Sequence, residues 1–458
     1  MKILLSSSGL LPSYGGGEIY VDRLARELQA IGHNPQIVVF GEWNDRMAHA
    51  EIQEQTYDGL TVWSLHLNRG EGNAAEGHLG FGPRIHTALK KILKETTPDI
   101  VHINAMKAPL TAACREIGIP HIVTAHHAGI ICPSGSLLLS DNTICSAATN
   151  HRDCVPCCNM CRWPNWYVGG LLSQIPARLY RLYGDKLNQQ ANLNYFERGL
   201  IYPWLVERSV KAKRWLLRNA QHIIAPSFFI RDILLRNGAN PSRIEILPHG
   251  VAIGKKFLVD FASTRPVRFG YVGRINDHKG LHLAIKALSG MQQNSCELHI
   301  FGNVQNETEK SYLSECLQRY TGKANIVQHG YIPPGKIIEA YRLIDVLVVP
   351  SIVPEAFGLV VAEAFAAGRP VIVSNSGALH ELIRDEINGF IVERNDAKAL
   401  AKAMQRFTVD HQLVVKMSQN VPQVKDIGEH VKDVERVYAR IVTAGSLKDS
   451  SAQTCLYA

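Results

Sequence analysis

Ile3-Leu4-Leu5-Ser6, Gly15-Gly16-Gly17-Glu18-Ile19, then Leu24, Leu28 and Ile31, then Ile37-Val38-Val39-Phe40: this opening stretch decides the fold. A short, unbroken apolar run is the pattern of a strand buried on both faces. Apolar residues at helical spacing from Ile19 to Ile31 follow, and then a second such run. Strand, glycine-rich turn, helix, strand is the βαβ unit of a doubly wound α/β domain. Working outward, Ile100–Ile103 and Ile122–Thr124 continue the same set of strands.

The pattern restarts in the second half of the chain. Val267–Val272, Glu297–Phe301, Val346–Val349 and Pro370–Val373 are expected as strands, with helices over Gly280–Leu288 and Leu359–Gly368 between them. Two such domains imply a cleft, because ligands of these sheets collect at the carboxyl ends of the strands. Residues 1–225 are assigned to a first domain and 226–420 to a second, with the linker near Ala225-Pro226-Ser227 or in Pro248–Pro266. A helix over 421–445 is expected to pack back on the first domain, before a polar tail at 446–458. The region 132–218 breaks the first domain's alternation and is expected as an insertion.

The chain has 458 residues, 46% hydrophobic and 20% charged, with 49 Lys and Arg against 41 Asp and Glu. Its net charge of +8 suits an anionic partner without choosing one. No segment reaches the roughly 18 apolar residues that span a bilayer, and the start lacks the pattern of a secretory leader. A cytoplasmic protein, at most peripheral to the inner face of a membrane, is the expectation.

Three motifs carry chemistry. Gly15-Gly16-Gly17-Glu18 lies at the mouth of the first helix, where free amides and close backbone approach favour an anion, although a plain tight turn reads the same way. Gly273-Arg274, followed by Lys279-Gly280, puts two cations after a strand, which suits a diphosphate. Glu355-Ala356-Phe357-Gly358-Leu359-Val360-Val361-Ala362-Glu363 is the most specific. Glu355 falls in a loop and Glu363 about one turn inside the helix, with the amides of Phe357, Gly358 and Leu359 at its N-terminus. Carboxylates accept hydrogen bonds from sugar hydroxyls, so each could grip a different sugar ring. A charge in an apolar run such as Val360–Ala366 needs a partner.

These motifs, with Thr124-Ala125-His126, Pro248-His249-Gly250-Val251 and Ser374, Gly377-Ala378 and Glu381, stand in the order of the family-4 glycosyltransferases, which the sequence resembles. The resemblance implies a GT-B fold, two Rossmann-like domains facing across a cleft, and transfer of a sugar with retention from a nucleotide-sugar donor to a glycan or lipid-linked acceptor, in cell-surface polysaccharide or lipopolysaccharide assembly. It implies that Arg274 and Lys279 hold the diphosphate in place of a catalytic metal. Glu363 would bind the ribose, Glu355 with the amides of Phe357, Gly358 and Leu359 the donor sugar, and Gly16, Gly17 and His126 would line the site from the first domain. Two positions depart from the pattern: Ala252 and His127 stand where the family often has aspartate. A nucleotide-sugar epimerase of the same fold is an alternative. A zinc-stabilised nucleic-acid-binding protein is another, but no nucleic-acid-binding signature appears.

Six of the ten cysteines, Cys132, Cys145, Cys154, Cys157, Cys158 and Cys161, fall in the expected insertion. Two Cys-x2-Cys spacings suit four thiolate ligands to a structural zinc or an iron–sulfur cluster, or else the thiols are free. Four of the six tryptophans, Trp163, Trp166, Trp204 and Trp215, follow, beside a surplus of basic residues from Arg178 to Arg218. This is the composition of an interfacial membrane segment or of a helix pair packed on the first domain.

Overall fold

The computed structural model describes residues 1–10, 15–40, 51–66, 83–139, 141–146, 148–162, 179, 195–253, 265–292, 294–320 and 325–445. The chain divides into two compact units: Met1–Pro226 with Ile230–Leu247 and Val431–Ala458, and Ser227–Phe229 with Pro248–His430.

Unit 1 holds an eight-stranded sheet in the order β3-β4-β2-β1-β5-β6-β7-β8. Its strands are β1 (Lys2–Ser7), β2 (Asn34–Phe40), β3 (Glu51–Tyr57), β4 (Leu60–His66), β5 (Ile100–Ile103), β6 (His121–Thr124), β7 (Ile223–Ala225) and β8 (Ile244–Ile246). Every pairing is parallel except β3 with β4. Helix α1 (Gly16–Ala30) buries Tyr20, Val21, Leu24, Ala25 and Leu28, the stripe its periodicity predicts. The antiparallel edge strand β3 is polar and largely exposed, so no apolar run announced it.

Helices α2 (Pro83–Thr96), α3 (Lys107–Ile117), α4 (His151–Arg162) and α5 (Tyr195–Asn219) complete the crossovers through β7. The expected insertion is the connection between neighbouring strands β6 and β7. Within it α4 and α5 bury Val155, Cys158, Val206 and Val210 together. Trp204 is buried, with the Arg208 guanidinium 4.6 Å over its ring, so this tryptophan packs inside rather than facing a lipid surface. Trp163 and Trp166 lie outside the described residues. Among the described residues, no helix is long and apolar enough to cross a membrane.

The limit expected at 225 falls inside this sheet, because β7 and β8 extend it by parallel pairing across α6 (Phe228–Arg236). Further on, Tyr438 Oη lies 2.7 Å from His102 Nδ1 and His33 Nε2 lies 2.9 Å from Glu435 Oε1, so the chain after Val431 packs within unit 1.

Unit 2 holds a six-stranded, wholly parallel sheet in the order β11-β10-β9-β12-β13-β14. Its strands are β9 (Val267–Val272), β10 (Cys296–Phe301), β11 (Ile326–Gly330), β12 (Val346–Val349), β13 (Val371–Ser374) and β14 (Gly389–Val392). Helices α7 (Leu281–Ser289), α8 (Glu307–Arg319), α9 (Ile337–Arg342), α10 (Leu359–Ala366), α11 (Ala397–Val409) and α12 (Gln412–Gln419) join them; α13 (Ile427–Gly445) begins in this unit. In each sheet the strand order reverses beside the first strand, between β1 and β5 and between β9 and β12. Those switch points are where such sheets leave room for a ligand.

The amino ends of β9 and β12 are tied by one carboxylate. Asp345, with its side chain 1% exposed, accepts from Arg265 at 2.6 and 2.8 Å, from the Arg268 guanidinium at 3.1 Å and from the Arg268 amide at 2.9 Å. Burial pushes its pKa up, but the two guanidiniums outweigh burial and hold it below the usual aspartate value. Asp345→Ala should destabilise unit 2 by about 3–5 kcal/mol, because two arginines lose their buried counter-charge. A carboxyl with a depressed folded pKa contributes stability above its unfolded pKa, about 3.9, and loses it as pH falls through the folded value. Chemical unfolding of Asp345→Asn should therefore differ most from the parent near neutral pH and converge with it in acid.

Candidate functional site

In unit 2 the loops after β9 and β12 meet at the switch point. After β9 the chain turns through Gly273 and Arg274 into a short 3-10 turn, Asp277–Lys279, capped by the Asn276 side chain on the Lys279 amide. The Ile352 amide donates to His278 O at 2.8 Å, which fastens the loop after β12 to this turn. Lys279 Nζ then reaches Glu355 Oε1 at 2.7 Å, and Ser351 Oγ donates to the same oxygen at 2.5 Å. Burial raises the Glu355 pKa, yet Lys279 and Ser351 overcome it and keep the carboxyl below the ordinary glutamate range. It is an anion at neutral pH, preset by its neighbours.

The Glu355 backbone is equally constrained. It bridges to Gly377, and the Ala378 amide donates to Glu355 O at 2.8 Å. Gly377 has φ +64°, and a Cβ there would lie 2.3 Å from Glu355 O, so only glycine fits. Glu381, three residues beyond Ala378, accepts from the amides of Phe228 and Phe229 at 2.9 and 2.6 Å. Helix α10 starts at Leu359 behind Gly358, with no side chain capping its first amides. Phe357 is buried against His249 with ring centroids 5.4 Å apart, and Val251 packs with Phe357, Ala362 and Ala366. The Pro248–Val251 motif thus braces the start of α10. Its Gly250 is needed for contact, since a Cβ would lie 2.6 Å from Asp426 O.

Glu363, 6% exposed, lies inside α10 and accepts from Tyr341 Oη at 3.1 Å. Arg274 is held by Glu309, Nε to Oε1 at 2.6 Å. Glu309 itself is buried and also accepts the Gln305 amide at 2.7 Å. These partners, Ser351, Tyr341 and Glu309, were missed from sequence. Asn306-Glu307-Thr308-Glu309 does carry a capping-box spacing that marks Glu309 as a helix-start carboxylate. Nothing in the sequence links it to Arg274.

In unit 1 the switch point is built on Ser6. Its hydroxyl donates to Ala105 O at 2.8 Å and accepts from the amides of Asn104 and Ala105 at 2.9 and 3.0 Å, knitting the loop after β5 to β1. Asn104 Oδ1 lies 2.7 Å from His126 Nε2, and Tyr20 packs edge-on to the His126 ring at 4.8 Å. Gly17 faces the same ring: a Cβ there would stand 3.9 Å from it. Gly16 is the exposed first residue of α1. His127 is exposed, and its Nδ1 accepts from the Gly129 amide as the cap of a 3-10 turn. Of the two histidines, His126 therefore lies against the glycine-rich helix start.

Lys107 and Lys213, which sequence reading passed over, stand in the same region. Lys107 donates to Asn104 O and Lys213 to Gly129 O. The cysteines lie nearby. Cys132 Sγ is 3.1 Å from Ser134 Oγ, and Cys132 and Cys145 are close enough to Cys154 to act on its thiol electrostatically, while burial pushes that thiol up to about 11. Among the described residues no three His, Cys, Asp or Glu side chains converge as metal ligands. The Cys161 side chain lies outside them.

A family model described as "Glycosyl transferase 4-like domain" matches residues 15–250, and one described as "Glycosyl transferases group 1" matches residues 259–424. The chain belongs to the glycosyl transferase 4-like family. Among curated relatives, it is 28% identical over 255 residues to the D-inositol 3-phosphate glycosyltransferase of Salinispora tropica, covering 49% of this chain and 52% of that one. It is 29% identical over 217 residues to the phosphatidyl-myo-inositol mannosyltransferase of Mycobacterium leprae, covering 44% and 54%. The chain thus spans about half the length of these relatives. Among solved structures, sucrose-phosphate synthase of Thermosynechococcus elongatus superposes with a TM-score of 0.65 at 19% identity, over 97% of this chain and 99% of that one. HepE of Anabaena in complex with UDP gives 0.62 at 16%, over 96% and 100%. The fold of the family member described here is GT-B, two parallel-sheet α/β domains.

The balance at Glu355 is testable. Replacing Lys279 by methionine removes the cation and leaves only the Ser351 hydrogen bond against burial. The Glu355 pKa, followed by carbon-detected NMR titration, should rise from below to above the ordinary value of about 4.3. An unchanged titration would show that the pair is not coupled.

Proposed function

We propose that the protein is a retaining glycosyltransferase that moves a hexosyl group from a nucleotide-sugar donor to a glycan or lipid-linked acceptor, in cell-surface glycan assembly. The observation that carries this reading is the cluster in unit 2: Arg274, Lys279, Glu355 and the start of α10 at one switch point, each fixed by a neighbour. A diphosphate needs fixed positive charge, which Arg274 and Lys279 supply without a catalytic metal. The amides of Phe357, Gly358 and Leu359 add donors at a helix start. Glu355 is ionised and suited to accept from hydroxyls of the transferred sugar; Glu363 takes the ribose. As the bond to the nucleotide breaks, the two cations stabilise the charge growing on the leaving diphosphate. The acceptor is assigned to unit 1, where His126, Gly16 and Gly17 lie at the switch point.

The reading is supported by the family membership and by the names of the relatives, which act on an inositol phosphate and a phosphatidylinositol. A thermal-shift screen with UDP-, GDP- and ADP-sugars tests it. One class should raise the melting temperature by several degrees; a ligand at 100 times its Kd stabilises by about 2.7 kcal/mol. Glu363→Ala and Arg274→Ala should each lose the shift. A protein indifferent to every nucleotide-sugar sinks the proposal.

The cysteines of the β6–β7 connection are proposed, in addition, as ligands of a structural zinc or iron–sulfur cluster that takes no part in transfer. The two Cys-x2-Cys spacings, Cys154 with Cys157 and Cys158 with Cys161, support this. Elemental analysis of anaerobically purified protein should find about one zinc, or several irons, per chain. Metal-free protein with unchanged folding refutes it.

A further inference from the structure

A cavity of about 250 Å³ opens on unit 1, and its walls include Thr149, Arg214, Arg218, Arg236, Asn237 and Gly238. Among the described residues no carboxylate lines it. Elsewhere in the chain arginines meet acids, as Arg26 meets Asp22, Arg274 meets Glu309 and Arg440 meets Glu245. In the cavity none does. Among the described residues the guanidiniums of Arg214 and Arg218 make no hydrogen bond or ion pair, and that of Arg236 donates only from Nε, to Asp232 O at 3.3 Å.

The acids close by in sequence are already engaged. Asp232, one turn before Arg236 on α6, takes the Arg231 guanidinium at 2.7 Å, and Glu207 on α5 takes Lys211 at 3.1 Å. Arg214 and Arg218 stand one turn apart on α5, a like-charged pair that by itself disfavours the helix. A cation in a last turn gains from the carbonyls there, but these are occupied too. Arg243 takes Arg218 O and Ala220 O at 3.2 and 3.4 Å, Asn219 Nδ2 takes Trp215 O at 2.8 Å, and Asn237 Nδ2 takes Ile233 O at 2.8 Å.

The cavity is a fastened part of unit 1. The Thr149 amide donates to Asn237 Oδ1 at 2.7 Å, and Thr149 Oγ donates to Ile131 O at 3.2 Å. Gly238, at φ +83°, follows the end of α6 with no side chain to fill the space. Arg243 stands directly before β8, and α6 runs back from the carboxyl end of β7. The cavity thus lies toward the amino ends of β7 and β8, whereas His126 follows the carboxyl end of β6.

We propose that this cavity binds a compact oligophosphate of the diphosphate class, at a site separate from those of donor and acceptor. The proposal stands on the cavity alone and does not rest on the transferase reading. A guanidinium is a planar fork of donors that closes on phosphate oxygens in pairs. A diphosphate presents several charged oxygens on adjacent phosphorus centres, enough for forks converging from α5 and α6, while a carboxylate presents a single pair. A concave site also suits a compact solute better than the flat face of a membrane.

Isothermal titration of inorganic diphosphate at fixed ionic strength tests the site. Arg274→Ala protein serves as the parent, so that the donor cluster is weakened, and Arg214→Gln, Arg218→Gln or Arg236→Gln is added to it. The parent should bind, and each addition should weaken binding by about tenfold or more. Lys211→Gln, which removes an equal charge from α5 outside the cavity, should leave binding unchanged. The three arginines are exposed, so the melting temperature and circular dichroism of the variants should match the parent. No binding, an equal loss with Lys211→Gln, or binding indifferent to all three arginines overturns the inference. Flotation on phosphatidylglycerol vesicles that needs these arginines, without diphosphate binding in solution, also overturns it, in favour of a membrane surface.

Discussion

The carboxylate of Glu355 sits where burial and charge pull in opposite directions, and the rest of unit 2 is arranged around the outcome. Burial alone would neutralise it. Lys279 at 2.7 Å and Ser351 at 2.5 Å keep it ionised. Neither neighbour could do so if the loops were free. The 3-10 turn that carries Lys279 is bonded to Ile352, and the Glu355 backbone is locked to Gly377 and Ala378. Orientation is thus fixed before any ligand arrives, which is the condition under which electrostatic stabilisation costs no reorganisation.

The same economy recurs at the other end of the strands. Asp345 joins β9 and β12 through two arginines. Arg274 repeats the pattern with Glu309. In each case a cation is paired with a carboxylate that is itself fully or nearly buried, so the pair resists displacement by solvent. Unit 1 uses neutral groups instead. Ser6 bonds the loop after β5, and Asn104 aligns His126.

Most of the parallel strands were legible because a strand buried on both faces reads as a continuous apolar run; Val346–Val349 and Ile100–Ile103 coincide with the strands observed. The polar β3, the mixed β8 and the exposed β11 had no such run, and that of β7 is only three residues long. The parallel pairing of β7 and β8 moved the limit between the units from 225 to Leu247. The candidate site was legible where spacing encodes it: Arg274, Lys279, Glu355, Glu363 and His126 are named by motif. Its supports were not, since Glu309, Ser351, Tyr341 and Asn104 come from separate elements that only packing brings close.

By itself, the sequence determined the two α/β units, the order of their motifs and the residue types of the candidate site, because hydrophobic period and glycine placement are local properties. Only the tertiary structure decided what each of those residues leans on. It turned His126 rather than His127 toward the helix start, drew Trp204 inward beneath Arg208, and brought Glu309 to Arg274 from a separate helix. Charge interactions and burial depend on distance in space, and a linear pattern carries no record of that distance.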